Sequence, residues 1–138
     1  IATDEIEFGE NDTLSSIVTA ITESDLLILL TDTDGLYTDD PFQNKDAKLI
    51  DIVTSEINDI QKVAKKSSDS DVGTGGMYTK VLAGKIINPI GIDMIIANGK
   101  NPNIVNKIMS GEKQGTLFVG QKTAENNIRE YLLSKIEK

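Results

Sequence analysis

The chain of 138 residues contains neither cysteine nor histidine, and these two absences remove much of enzyme chemistry. Without cysteine there is no disulfide framework and no thiolate metal site. Without histidine there is no His-based triad, zinc site or proton shuttle, so any catalysis rests on carboxylates, lysines, hydroxyls and backbone groups. Long apolar runs are also missing: none approaches the roughly 20 residues of a membrane span, and the N-terminal Ile1-Ala-Thr-Asp-Glu-Ile-Glu7 is acidic rather than a signal peptide. The expected location is cytoplasmic. Positive charge is scarce as well. A formal net charge of −8 argues against a general nucleic-acid binder, which draws its affinity from clustered lysine and arginine. Hydrophobic residues make up 38% of the chain, which is ordinary for one globular domain with a real core. A native chain normally opens on methionine, so Ile1 raises the expectation of a fragment or processed piece.

Apolar patterning alternates between two periods. Leu14, Ile17, Val18 and Ile21 form a helical stripe over 14–22, with Asp12 or Thr13 suited to cap its start. Leu26–Leu30 is an unbroken apolar run, the pattern of a strand buried on both faces in a parallel sheet. A polar loop is expected over 31–48, a helix over 52–64 and a Ser, Asp and Gly-rich loop over 65–76. A second long helix is predicted over 77–87, stopped near Pro89, then a buried strand at 94–97 and a short helix around 104–109. A last strand is expected at 116–119 and a closing helix over 125–135. The alternation predicts an α/β layered fold.

The most informative segment is Gly73-Thr-Gly-Gly-Met-Tyr-Thr-Lys80, three glycines and a lysine where loop passes into helix. Glycines let backbone N–H groups approach an anion, and the first turn of a helix carries partial positive charge that favours one. Lys80 in that turn opposes the helix dipole by about 0.3–1 kcal/mol, which suggests a compensating bound anion. A plain Gly-rich turn with a solvated lysine is the alternative. Ligands of open parallel sheets sit beyond the carboxyl ends of the strands. Thr31-Asp32 and Asn98-Gly99, each directly after a predicted strand, are therefore expected to converge with the glycine turn on one edge.

Two familiar motifs fail on spacing, and a third is set aside on context. An EF-hand built on Asp32-Thr-Asp-Gly35 would need an acidic ligand at Leu30 and a glutamate at Pro41. A Walker A loop needs Gly-Lys-Ser/Thr, whereas Gly76 stands four residues before Lys80 and Val81 follows it. Asn11-Asp12-Thr13 fits a glycosylation sequon, but nothing in the chain suggests secretion.

Phe8-Gly-Glu-Asn-Asp-Thr-Leu-Ser-Ser16, Leu29-Leu-Thr-Asp-Thr-Asp-Gly-Leu-Tyr-Thr-Asp-Asp-Pro41 and Gly73–Lys80 occur in the order and at about the spacing of the glutamate 5-kinases. The chain resembles that family of the amino acid kinase superfamily, and Gly91-Ile-Asp93, Ile96-Ala-Asn-Gly99 and Gly111–Phe118 extend the likeness over nearly its whole length. The resemblance implies a three-layer α/β/α sandwich with a mainly parallel sheet, of which these residues form the C-terminal, nucleotide-binding portion. It implies transfer of the terminal phosphoryl group of ATP to the side-chain carboxylate of glutamate, the first step of proline biosynthesis, with Mg2+ carried on the nucleotide and no protein ligand assigned to it. Positioning and charge stabilisation supply most of such catalysis.

Carried over by motif, Asn11 is the residue that contacts glutamate and Asp12 the aspartate that orients catalytic lysines; helix capping is the plainer role for both. Thr31 and Asp32 fall at nucleotide-binding positions, where a polar turn is the plainer reading. Thr74, Gly75, Gly76, Met77, Tyr78, Thr79 and Lys80 fall on the nucleotide loop, with Lys80 on the transferring phosphate. Glu10 replaces the usual aspartate, and Asn88-Pro89 interrupts a segment that is usually continuous helix. From Gly120 onward the likeness is poor, and no RNA-binding-like appendage is expected. The family's second catalytic lysine, Gly-Ser turn and Asn-Glu-Asn-Asp segment do not occur before Ile1, so the isolated chain is expected to be incomplete for turnover. Homo-oligomerisation as dimer or tetramer is implied by analogy. Two other functions stay open: phosphorylation of another acceptor, as in isopentenyl phosphate kinases, and a nucleotide-binding or assembly module without catalysis.

Overall fold

The structure is a computed structural model that describes residues 11–54, 57–67 and 76–121. The expected closing helix over 125–135, most of the loop at 65–76, and the motif positions Phe8 to Glu10 and Gly73 to Gly75 lie outside the described residues. In chain order the elements are α1 (Asn11–Ile21), β1 (Leu26–Thr31), β2 (Ile52–Val53), α2 (Ile57–Ser67), α3 (Met77–Ile87), a 3-10 turn (Asn88–Ile90), β3 (Asp93–Asn98), α4 (Ile104–Met109) and β4 (Thr116–Phe118).

The four strands form one sheet in the order β1-β3-β4-β2. β1 runs parallel to β3 and β2 parallel to β4, while β3 and β4 are antiparallel, so the sheet is mainly parallel. Side chains alternate across a strand, and residues of both faces of β1 and β3 enter a core, which explains why these two runs are apolar without interruption. Leu29 of β1 and Met94 and Ile96 of β3 join Val81, Ala83 and Ile87 of α3 and Phe118 of β4 in the larger core. Their neighbours Leu26, Ile28, Ile95 and Ala97 turn to the opposite face and meet Ile104 and Ile108 of α4. The result is the α/β/α layering expected from the sequence.

α3 seats closely on the sheet because Gly84 has no side chain there: a Cβ at this position would stand 2.9 Å from Met94 Cε and 3.4 Å from Phe118 Cδ1. The helix ends at Ile87 and the chain tightens into the 3-10 turn containing Pro89, in agreement with the predicted stop. The buried Asn88 side chain ties that end to the sheet, donating to the carbonyls of Ile92 at 2.8 Å and Phe118 at 3.3 Å. At the opposite end of β4, Gly115 has φ +69, and a Cβ there would run into the carbonyl of Ile96. Only glycine tolerates both the conformation and the approach.

Three expectations need correction. Ile52 and Val53 do not open a helix; they pair with Leu117 and Phe118 as β2, and α2 starts at Ile57. Two adjacent β-branched residues at the sheet margin gain ladder hydrogen bonds that an isolated helical turn does not offer. α1 begins by Asn11 rather than at 14, so Asp12 lies inside its first turn instead of capping it. The apolar stripe of α1 is also not its buried face: Ser16 and Thr19 are buried, whereas Ile17, Val18 and Ile21 are exposed. Those hydroxyls bond back to Thr13 O at 2.6 Å and Ser15 O at 2.7 Å, so this small-residue face packs on α3 without stranded donors.

The polar segment between β1 and β2 is ordered by its own pairing. Tyr37 bridges Leu49, Thr38 N–H donates to Lys48 O at 2.9 Å, and Ile50 N–H donates to Leu36 O at 2.8 Å. Thr116 pins this excursion to β4: its buried hydroxyl accepts from Leu36 N–H at 2.9 Å and donates to Ile50 O at 2.6 Å. Thr116→Val keeps the shape and leaves both backbone groups unpaired, so urea unfolding of this variant should show a loss of about 2–3 kcal/mol. A loss below about 0.5 kcal/mol would mean that the hydroxyl does not anchor the loop.

Candidate functional site

The parallel register of β1 and β3 places Thr31 beside Asn98, so the two strands release their chains at one edge. Gly99 N–H donates to Thr31 O at 2.8 Å and extends that pairing by one residue past the strands. Asn98 Nδ2 donates to Asp34 Oδ1 at 3.1 Å, and the Tyr37 hydroxyl lies 3.4 Å from Asp34 Oδ2. Burial, and secondly the Asp34 carboxylate, raise the Tyr37 phenol above its usual pKa, so it remains a protonated donor throughout the neutral range.

Beside this edge lies a cavity of about 320 Å3, lined in part by Thr31, Asp32, Tyr37, Gly76, Met77 and Phe42. Its size falls within the roughly 300–1,000 Å3 usual for small-molecule sites. The sequence expectation that the β1 loop and the glycine turn share one edge is met by Thr31, Asp32, Gly76 and Met77. Thr74 and Gly75, placed in the same loop by motif, lie outside the described residues. Gly76 is the N-cap of α3 with φ 68 and ψ −139, a conformation essentially closed to side-chain-bearing residues. Among the described residues no side chain caps α3. Its N-terminus therefore points partial positive charge toward the cavity.

One turn along α3, Lys80 lies on the same helical face as Gly76. Its Nζ is 3.2 Å from Asp12 Oδ2, and the two side chains are 14% and 20% exposed. Thr79 Oγ1 lies 2.7 Å from the same carboxylate oxygen and 3.0 Å from Gly76 O. The single hydroxyl proton serves the shorter, charged acceptor better. Asp12 thus holds two consecutive residues of α3 from α1, 67 and 68 positions away in sequence. This corrects one expectation: the anion that offsets the dipole penalty at Lys80 is a carboxylate of the chain itself.

The remaining motif residues are less engaged. Asn11, the first described residue of α1, is exposed, and its carbonyl accepts from Ser15 Oγ at 2.8 Å. Thr31 Oγ1 lies 3.3 Å from Asp32 Oδ1. Tyr78 is half-buried, with Lys65 Nζ 5.2 Å from its ring centroid. Sequence reasoning missed Tyr37, Asp40, Pro41, Phe42 and Gln43 as cavity residues. The signal was an aromatic residue following Asp-Asp-Pro inside a charged segment, where no core demands one. No helix among the described residues is long and apolar enough to cross a membrane.

Comparison with known proteins places these features in a family. The glutamate 5-kinase of Caldanaerobacter subterraneus subsp. tengcongensis is 48% identical over 122 residues, 88% of this chain and 32% of that protein. The glutamate 5-kinase of Clostridium acetobutylicum is 47% identical over 116 residues, 84% of this chain and 43% of its own length. The chain therefore spans a third to somewhat under half the length of these curated relatives. In three dimensions it is similar to the UMP kinase of Bacillus anthracis, with a TM-score of 0.58 and 22% identity over 78% of this chain and 39% of that one. The uridylate kinase of Archaeoglobus fulgidus gives a TM-score of 0.55 at 21% identity, covering 78% and 46% of the two chains. The amino acid kinase family model matches residues 1–98, and with it the fold and the motif order agree: the chain belongs to the amino acid kinase family.

Proposed function

We propose that the chain is the nucleotide-binding portion of a glutamate 5-kinase, and that the protein containing it transfers the terminal phosphoryl group of ATP to the side-chain carboxylate of glutamate, the first step of proline biosynthesis. The observation that carries this reading is the Asp12–Lys80 pair, 3.2 Å apart, set one helical turn from the cavity that Gly76 shares with Thr31 and Asp32. An ammonium held at that point can neutralise charge on the phosphoryl oxygens as the bridging bond breaks. The uncapped start of α3 adds backbone N–H donors for the phosphate chain.

An oxygen of the glutamate carboxylate attacks the terminal phosphorus, the bond to the ADP oxygen breaks, and an acyl phosphate and ADP result. The nucleophile is already ionised at neutral pH, so the step needs no general base, which suits a sequence without histidine. Among the described residues no three acidic side chains gather as a metal cage. Magnesium bound mainly by a nucleotide's own phosphates fits such a site and would supply further charge neutralisation. Asn11, next to Asp12 at the start of α1, is assigned to the glutamate by its match to the family's motif; Asp12 itself contacts Lys80 and Thr79 and has a positioning role rather than a reacting one.

Glutamate is favoured over other acceptors by the 48% identity to glutamate 5-kinase, since the structural similarity to other kinases at 21–24% identity speaks to the fold alone. A coupled ADP assay of the complete native chain with ATP and magnesium tests this choice. Glutamate should support ADP release, and UMP and isopentenyl phosphate should not. Release with either phosphate acceptor, and none with glutamate, would overturn the assignment.

A further inference from the structure

We infer that Phe42 is the stacking platform for the base of the bound nucleotide, an inference that rests on the nucleotide reading above. Phe42 is 86% exposed, more so than any other large apolar side chain among the described residues, yet it lines the same cavity as Gly76 and Met77. Its exposure is not that of a loose loop tip. The buried Asp40 carboxylate accepts from Phe42 N–H at 2.9 Å, and Asp40 O accepts from Asn44 N–H at 2.8 Å. Asp39 closes the turn from outside, accepting from Asp40 N–H at 2.8 Å and from Asn44 Nδ2 at 3.0 Å. A chain that fixes the backbone on both sides of an exposed ring holds that ring ready for a partner.

The cavity's polarity tells which partner. The start of α3, with Lys80 a turn beyond, suits phosphate. Thr31, Asp32, Pro41 and Phe42 line the same cavity as Gly76. A nucleotide with its phosphates at Gly76 therefore has an exposed aromatic ring in the same cavity to receive its base. Tyr37 is the other aromatic among the lining residues, but it is half-buried with its hydroxyl 3.4 Å from Asp34, whereas the Phe42 ring is open to a ligand. Stacking on a ring face tolerates any base and gains with base area, so the platform favours purines by contact rather than by reading their edges.

The test is isothermal titration of the complete native chain and its Phe42→Ala and Phe42→Tyr variants with ATP, and separately with inorganic tripolyphosphate, which has no base. Phe42→Ala should weaken ATP binding about tenfold and leave tripolyphosphate binding within about twofold, while Phe42→Tyr retains both. Unchanged ATP affinity in Phe42→Ala would overturn the inference and leave the nucleotide reading standing. Equal loss for both ligands would also overturn it, because the turn rather than the ring would then matter. A wild-type protein that binds neither ligand refutes the nucleotide reading and this inference with it.

Discussion

Lys80→Met is expected to lower turnover of the complete enzyme by about a thousandfold, with the KM for glutamate changed by no more than a few-fold. The variant keeps the length of the apolar stem and removes the charge, so in the proposed reaction it would lose stabilisation of the phosphoryl oxygens in the transition state. Loss of one preorganised donor at such a position commonly costs 10²–10³ in rate, and loss of a full positive charge on a transferring phosphoryl group about 10³–10⁵. The fold should survive. Asp12 keeps its contact with Thr79 Oγ1 at 2.7 Å and is 20% exposed, so its carboxylate is not stranded in the core. The melting temperature should therefore stay within a few degrees of wild type. Arginine should rescue poorly, because a planar fork does not reproduce a compact ammonium seated against a single carboxylate oxygen. Residual turnover within tenfold of wild type would remove Lys80 from the reaction.

Phe118→Ala should destabilise the protein by about 3–5 kcal/mol in urea unfolding. Phe118 is fully buried, pairs with Met94 across β4 and β3, and lies so close under α3 that a Cβ at Gly84 would stand 3.4 Å from its Cδ1. Truncation opens a cavity under that contact, and close-packed surroundings collapse into it only in part. α3 carries Gly76, Met77, Thr79 and Lys80, so a looser seat is expected to weaken nucleotide binding as well. Phe118→Leu, which fills most of the volume, should recover most of the stability. A loss below about 1 kcal/mol from Phe118→Ala would mean that α3 does not depend on this contact.

Much of the architecture was legible because it follows from periodicity. The unbroken runs at Leu26–Leu30 and Met94–Ala97 read as strands buried on both faces, and the structure sends alternate residues of each into separate cores. The bounds of α3 and α4 were equally plain, set by Pro89 and by the turn around Pro102. Failures came where tertiary context outweighs local pattern. Ile52 and Val53 fit a helical stripe as well as a strand, and only the presence of β4 decides between them. In α1 the apolar stripe suggested a buried face, whereas the buried residues are Ser16 and Thr19, whose hydroxyls are satisfied within their own helix.

The candidate site was legible in part for a different reason. Its residues were found by motif order, which names positions but not partners. Nothing local in Asp12 distinguishes a cap from a residue that reaches Lys80 across 68 positions. The loop of 31–48 was read as polar connection, although Thr116 fixes it and Phe42 stands on it as part of the cavity. Such long-range assignments depend on which elements pack together, and periodicity alone does not contain that information.

The product of the proposed reaction is an acyl phosphate, made from ATP and glutamate. Hydroxylamine intercepts acyl phosphates, so the most direct measurement is the yield of γ-glutamyl hydroxamate when the complete native chain is incubated with ATP, magnesium, glutamate and hydroxylamine. Hydroxamate should form in step with ADP and only when glutamate is present. ADP released in the presence of glutamate without hydroxamate, or no ADP at all, would contradict it.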